Sequence, residues 1–392
     1  MLRSGVSFLL AASILAGCGG DSAEETAATP APTATATATP AADSTADSRR
    51  SAPIRTSGDQ PRVEVIAGGL EVPWDVAFLP DGRAFVTERP GRIRLLSRSG
   101  AVADEPVAEL RVEAEGEGGL MGIDLDPDFG SGRPFAYVML TVDGEVRVQR
   151  LRWNGERLIP EAVVLDGIRA GSIHDSGRLR IGPDERLFVA TGDAGDGDLA
   201  QDADSRNGKM LALEPEQYRG SEPAEPTVIS SGHRNPQGLD WHPGTGRLFA
   251  TEHGPSGFDG PSCCDELNAI EAGGDYGWPR YGEDQPAGAR PAKLWEQTIA
   301  PSGMAFVTRR GSSWTGDALV AALRGTALHR VSVDGRTARE EEVLLDGDYG
   351  RLRAVVEAPD GAIWVTTSNL DSYGSRQDAR DDRILRVIPP AG

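Results

Sequence analysis

The chain repeats itself. A β-type run, a Pro/Asp/Gly turn and a second β-rich run recur as FLPDGRAFVTE at Phe78–Glu88, IGPDERLFVATG at Ile181–Gly192, WHPGTGRLFATE at Trp241–Glu252 and EAPDGAIWVTT at Glu357–Thr367. A looser copy leads from LDPDFG (Leu125–Gly130) into FAYVMLT (Phe135–Thr141), and a degenerate one joins Gly303–Phe306 to Asp317–Leu323. Pro presets the turn, Asp and Gly close it, and the flanking Val, Phe, Trp and Thr favour strands. Helical periodicity is nowhere sustained in this region. A repeated hairpin unit of this kind buries its faces only by stacking on its neighbours. Six such units predict an all-β fold, a six-bladed β-propeller. A β-sandwich array is the competing architecture, but it leaves the recurring turn unexplained.

The repeat also predicts where chemistry sits, because an antiparallel hairpin brings together residues equidistant from its turn. His174 and Asp193 mirror each other about Pro183–Asp184, and Arg234 mirrors His253–Pro255 about Pro243–Gly246. Arg351 and Arg353 precede the turn at Pro359–Gly361 by a comparable interval. All fall at the hairpin ends opposite the turn, which in a propeller share one face around the channel.

A carboxylate across from an imidazole fixes its tautomer and raises its basicity, so His174 with Asp193 is the leading general-base candidate. Arg234, Arg324, Arg351 and Arg353 on one face suit a multi-anionic ligand through bidentate contacts, although in an Arg-rich chain each alone reads as an ordinary surface ion pair. Asn235 stands ready to donate to a ligand oxygen. Gly254–Pro255 and Asp265–Glu266 fit either a hard cation held by carbonyl and carboxylate oxygens or a plain turn with a solvated acidic pair. The five His lack zinc-ligand spacing.

The rest of the chain bounds its setting. Arg3, the apolar run Val6–Leu15 and the small-residue site ending at Cys18 form a lipoprotein-type export signal over residues 1–18, with Cys18 as the acylated residue; an ordinary secretory signal is the alternative. Residues 19–60, rich in Ala, Thr, Ser and Pro, are expected to be a flexible tether, leaving the propeller to residues 61–392. The expected location is the cell envelope, anchored by lipid on the outer side of the cytoplasmic membrane. A net charge of −20 argues against nucleic acid and against a polybasic membrane contact. Adjacent Cys263 and Cys264 could close a vicinal disulfide in an oxidising compartment.

Taken in order, PWDVAFLPDG (Pro73–Gly82), VTERPG (Val86–Gly91), GGLMG (Gly118–Gly122), HDSGRL (His174–Leu179), HRNPQG (His233–Gly238), EHGP (Glu252–Pro255), DELN (Asp265–Asn268), YGWP (Tyr276–Pro279), APSGM (Ala300–Met304) and RLR (Arg351–Arg353) resemble the soluble quinoprotein glucose/aldose sugar dehydrogenases. The resemblance implies a six-bladed propeller that binds pyrroloquinoline quinone (PQQ) and calcium (Ca2+). It implies oxidation of an aldose at its anomeric carbon to the lactone, with electrons passed to an external acceptor. It puts the proton acceptor on His174 with Asp193, and cofactor contacts on Arg234, Asn235, Arg351 and Arg353. Calcium falls to the carbonyls of Gly254 and Pro255, and a further calcium site to Glu266 and Tyr276. The chain departs from the family pattern at Glu117, where a sugar-contacting Gln is usual, and at Arg324, where a Lys contacts the cofactor. Asp275 and the insert Ser256–Cys264 also differ. Two other readings keep the propeller: calcium-dependent lactone hydrolysis, which asks for carboxylate and amide ligands converging on the channel, and a non-catalytic glycan- or partner-binding module.

Overall fold

A computed structural model describes residues 60–280 and 289–392. The export signal with Cys18, and the tether up to its last residue, lie outside the described residues.

Six sheets make up the described fold. Blade 1 spans the strands from Pro73–Phe78 to Ala108–Glu109, blade 2 those from Leu120–Leu125 to Leu158–Arg169, and blade 3 those from Leu179–Ile181 to Thr227–Ser231. Blade 4 runs from Pro236–Trp241 to Lys293–Trp295, and blade 5 from Pro301–Phe306 to Thr337–Leu344. Blade 6 combines Leu352–Glu357, Ile363–Thr367 and Arg383–Ile388 with the N-terminal strand Arg62–Gly68. That last pairing is antiparallel, from Arg62 opposite Ile388 to Gly68 opposite Arg383, and it joins the two ends of the domain in one sheet. The first strand of each sheet packs on the first strand of the next, right round the ring. Every repeated turn found in the sequence closes the first hairpin of a blade, the degenerate copy at Gly303 and Asp317 included. The propeller expectation holds.

The second strand of each blade is buried on both faces, as Ala84–Glu88, Leu248–Glu252 and Ile363–Thr367 show along their whole lengths. This explains why the repeat reads as a continuous apolar run rather than an alternating one. The core is correspondingly divided into six clusters, such as Met121, Tyr137, Val148, Leu187 and Leu211 between blades 2 and 3.

Aspartates near the ends of the inner strands link neighbouring blades. Asp75 accepts from the Ile123 amide, Asp124 from Ile181 and Asp240 from Phe306, at 3.1, 2.7 and 2.6 Å. Buried Asp75 also receives Arg178 at 2.6 Å and both ends of the Arg180 fork, so three blades meet on one carboxylate. Such a charge tolerates burial only with this density of partners.

The inner hairpins are irregular at one end. Register slips occur at Pro73/Asp75, Leu120/Ile123, Pro236/Gly238, Pro301/Met304 and Leu352/Val355, each away from the turn. Bulges of this kind re-aim side chains at a sheet's end. In blade 3 the first strand is short, and its ladder begins only at Leu179, which leaves Gly171–Arg178 free to form a loop.

Candidate active site

These irregular ends surround a cavity of about 430 Å³. It is lined by His174, Glu117, Arg234, Arg324, Arg351 and Arg353 among others, together with the aromatic rings of Trp74, Phe258 and Tyr373. Residues from blades 3, 4 and 6 therefore meet here, as hairpin symmetry predicts.

His174 is 4% exposed and sits in the left-handed region at φ 62°. A non-glycine residue adopts this backbone only when its surroundings over-determine it. Here they do. The His174 amide donates to Glu117 Oε2 at 2.9 Å, and its Nδ1 meets Asp193 Oδ1 at 2.6 Å. Asp193 is itself held, with Oδ1 accepting the Gly195 amide at 2.8 Å and Oδ2 the Trp278 indole N–H at 2.7 Å. Gly192 permits the approach, since a Cβ there would lie 1.8 Å from the His174 carbonyl oxygen. With Nδ1–H donated to a carboxylate, Nε2 is the basic nitrogen.

Next to this dyad, burial first and the Glu117 charge second push the Asp175 carboxyl up to about 7. Glu117 Oε2 also accepts from the Asn235 amide at 3.2 Å, while Asn235 Oδ1 accepts from Ser176 N–H at 3.1 Å. Asn235 is thus fully buried and spends both ends of its amide inside the protein. Glu117 instead reaches the cavity wall.

The arginines divide into three kinds. Arg351 and Arg353 share Asp371, whose Oδ2 lies 3.1 Å from Arg351 Nη2 and 3.2 Å from Arg353 Nη2 and also accepts from Ser368. These cations hold the Asp371 carboxyl below its usual value against the opposing effect of burial. Burial lowers Arg353 to about 10, so it stays charged at neutral pH. Arg234, 2% exposed, pairs with Asp259 from the insert. Arg324 is exposed and makes no ion pair among the described residues. Five guanidinium groups line the cavity, counting Arg89, against the carboxylates of Glu117 and Asp371. His253 at the same wall is held neutral: burial first, then Arg234, keep it well below its ordinary range.

A second cavity of about 730 Å³ adjoins Arg234 and His253 and is lined by Glu252, Gly254, Pro255, Glu266 and Tyr276. Glu252 and Glu266 stand opposite each other in the ladder of blade 4. Burial, and then the Glu252 charge, push Glu266 up to about 8. Asn268 Nδ2 donates to both carboxylates, and its Oδ1 is buried without a partner. Tyr276 spends its hydroxyl on the Ala269 carbonyl at 2.6 Å and the Glu271 amide, so a metal contact from this residue would use its main chain. Asp265 differs from the sequence expectation of an acidic pair for a cation. It is fully buried, and its oxygens accept the amides of Gly254, Ile299 and Ala300 at 2.8, 2.6 and 2.7 Å. Among the described residues no three His, Cys, Asp or Glu side chains gather as a metal site.

Sequence reasoning missed Asp259, Phe258, Asp371 and the Trp278 contact to Asp193. Trp278 was visible as part of YGWP, but nothing in its spacing pointed to a residue of blade 3. Cys263 and Cys264 do form a disulfide.

The profile of the Glucose / Sorbosone dehydrogenase family matches residues 70–375. A Thermus thermophilus protein described as an oxidoreductase of the glucose dehydrogenase type shares 45% identity, covering 84% of this chain and all of that one, with a TM-score of 0.74. The PQQ-bound aldose sugar dehydrogenase of Streptomyces coelicolor is 36% identical, with 86% and 99% coverage and a TM-score of 0.72. Aldose sugar dehydrogenase YliI of Escherichia coli is 30% identical over 361 residues, 83% of this chain and 92% of its own. With a matched profile over most of its length, a shared propeller and the dyad and arginines in one cavity, the chain belongs to the glucose/sorbosone dehydrogenase family, the soluble quinoprotein sugar dehydrogenases that its motifs resemble.

Proposed function

We propose that the protein oxidises an aldose at its anomeric carbon to the lactone, using PQQ and Ca2+ and passing electrons to an external acceptor. The observation that carries this reading is the His174–Asp193 dyad at the wall of an arginine-lined cavity.

The donor set fits a flat polycarboxylate. Arg234, Arg324, Arg351 and Arg353 present guanidinium groups whose planar forks match carboxylates, and Trp74 adds an aromatic wall. Bound PQQ would supply an ortho-quinone able to take up hydride, chemistry that protein side chains lack. The residues of the chain then orient the sugar and move its proton. His174 Nε2 takes the proton of the anomeric hydroxyl, and Asp193 stabilises the imidazolium that forms. Glu117, reaching the wall beside His174, is the proposed acceptor for a second sugar hydroxyl, and Asn235 keeps Glu117 in place.

For calcium, the fit rests on Asn268 Oδ1, buried without a partner, and on the raised Glu266 carboxyl facing Glu252, a combination that a cation would relieve. Glu266 and the main chain of Tyr276 are the groups proposed to hold this ion, and the carbonyls of Gly254 and Pro255 are proposed to hold the calcium that works with the cofactor. The Arg-rich cavity also favours this reading over lactone hydrolysis, which asks for carboxylate and amide ligands converging on the channel, where five guanidinium groups stand instead. We further propose that the protein works as an exported lipoprotein, acylated at Cys18, with the propeller of residues 61–392 on a tether.

The test is an aldose panel on purified protein supplied with PQQ and Ca2+, following dye reduction and lactone formation together. Lactone formed in step with dye reduction supports the reading. Lactone consumed without quinone would replace it with hydrolysis.

A further inference from the structure

The insert Ser256–Cys264 folds back onto the candidate site. Asp259 Oδ2 takes Arg234 on two nitrogens, Nε at 2.8 Å and Nη2 at 2.6 Å. Arg234 Nη1 donates to the His253 carbonyl at 3.2 Å, and Asp259 covers the Nε–Nη2 edge. The carboxylate is poised by the Ser256 amide, which donates to Asp259 Oδ1 at 3.0 Å. Above it Phe258, 68% exposed, lies 5.9 Å from the Arg234 guanidinium and 6.3 Å from the His174 ring. At the far end of the insert the Cys263 amide donates to the Pro255 carbonyl at 3.3 Å. One surface loop therefore engages both an arginine and a carbonyl that the proposed function gives to the cofactor and its metal.

Asp259 and Asp371 differ in kind. Asp371 is buried in its own blade, bound to two arginines, the Ser368 hydroxyl and the Tyr373 amide, and it leaves Arg351 and Arg353 on the cavity wall. The Asp259 side chain is 19% exposed and belongs to an insert that has no counterpart in the repeat. One Asp259 oxygen takes both nitrogens of the Nε–Nη2 edge, so a ligand carboxylate that grips this edge with two oxygens must take the place of Asp259.

We propose that Asp259 is an internal competitor for the anion site at Arg234, which the loop releases as the cofactor enters. A single carboxylate gains little by this exchange, because it replaces like with like. A polycarboxylate offsets the loss of the Asp259 pair through Arg324, Arg351 and Arg353. Asp259 thereby selects for polyanionic ligands and sets how tightly PQQ is held. The inference rests on the quinone reading above.

The test is calorimetric titration of PQQ, with Ca2+ present, into the cofactor-free protein and its Asp259→Asn and Asp259→Glu variants. Quinone absorbance retained after gel filtration gives a second readout independent of turnover. Removing one charge from a close pair should tighten binding about tenfold or more in Asp259→Asn, with Asp259→Glu close to the parent. Acetate should weaken PQQ binding to Asp259→Asn more than to the parent. A parent that binds PQQ while Asp259→Asn binds it equally or more weakly overturns the inference and leaves the quinone reading intact. If neither protein retains PQQ, the quinone reading falls and this inference with it.

Discussion

His174 Nδ1 and Asp193 Oδ1 lie 2.6 Å apart, and the second oxygen of Asp193 is held by the Trp278 indole. The carboxylate therefore does two things at once: it fixes the imidazole tautomer and ties blade 3 to the segment that follows the Asp265–Ala269 strand of blade 4. Asp193→Asn keeps the shape but can present an N–H to Nδ1, which would place the ring proton on Nε2. The predicted fall in kcat is about 10²- to 10⁴-fold, with bound quinone retained. Steady-state kinetics beside cofactor absorbance checks this.

Asp371 neutralises Arg351 and Arg353 at once. Its removal would leave two crowded guanidinium groups, one of them buried. Asp371→Ala should destabilise the cofactor-free protein by about 3 kcal/mol, and PQQ should restore part of that loss. Urea unfolding with and without the quinone measures both effects.

Lys209 is buried, and its ammonium donates to the carbonyls of Leu199, Ala200 and Asn207 at 2.8, 3.1 and 2.8 Å. It organises the segment that follows Asp193. Lys209→Met strands the Leu199 and Asn207 carbonyls, while Ala200 keeps the Gly232 amide at 3.0 Å, and the expected cost is about 2–4 kcal/mol. Denaturant melts would show this as a lower midpoint, and amide exchange would rise across Gly197–Asn207.

Asp175 provides a pH test. Burial raises its folded pKa to about 7, whereas an unfolded chain titrates it near about 4. Between those values the folded protein binds the extra proton. The stabilising contribution is complete below the unfolded pKa and is lost as pH rises through about 7. For this group it amounts to at most about 4 kcal/mol. Thermal melts from pH 4 to 8 should show a loss of stability that flattens in Asp175→Asn. Asp240, pushed up to about 6 by burial, leaves a smaller slope behind.

The propeller was legible because its turn is written out in four clear copies and one looser one, and because hairpin symmetry converts position into proximity. The same symmetry located His174 against Asp193 and brought Arg351 and Arg353 to the channel mouth. It gave no access to residues outside the hairpins. Asp259 sits in an insert without a repeat counterpart, and Asp371 lies in a Ser/Asp-rich loop that reads as a solvated turn. Direction was equally hidden. Asn235 and Asp265 look like ligand groups by type, yet the structure spends them on Glu117, Ser176 and main-chain amides. Residue type states what a side chain can bind, and only the fold decides which partner reaches it first.

Whether His174 is the base at a quinone site is decided by a single comparison. Parent protein and His174→Ala are loaded with PQQ and Ca2+, the bound quinone is quantified by absorbance, and aldose-dependent dye reduction is recorded on the same samples. The expected result is equal quinone in both and turnover only in the parent. Equal turnover in the variant would contradict it, as would a parent protein that retains no quinone.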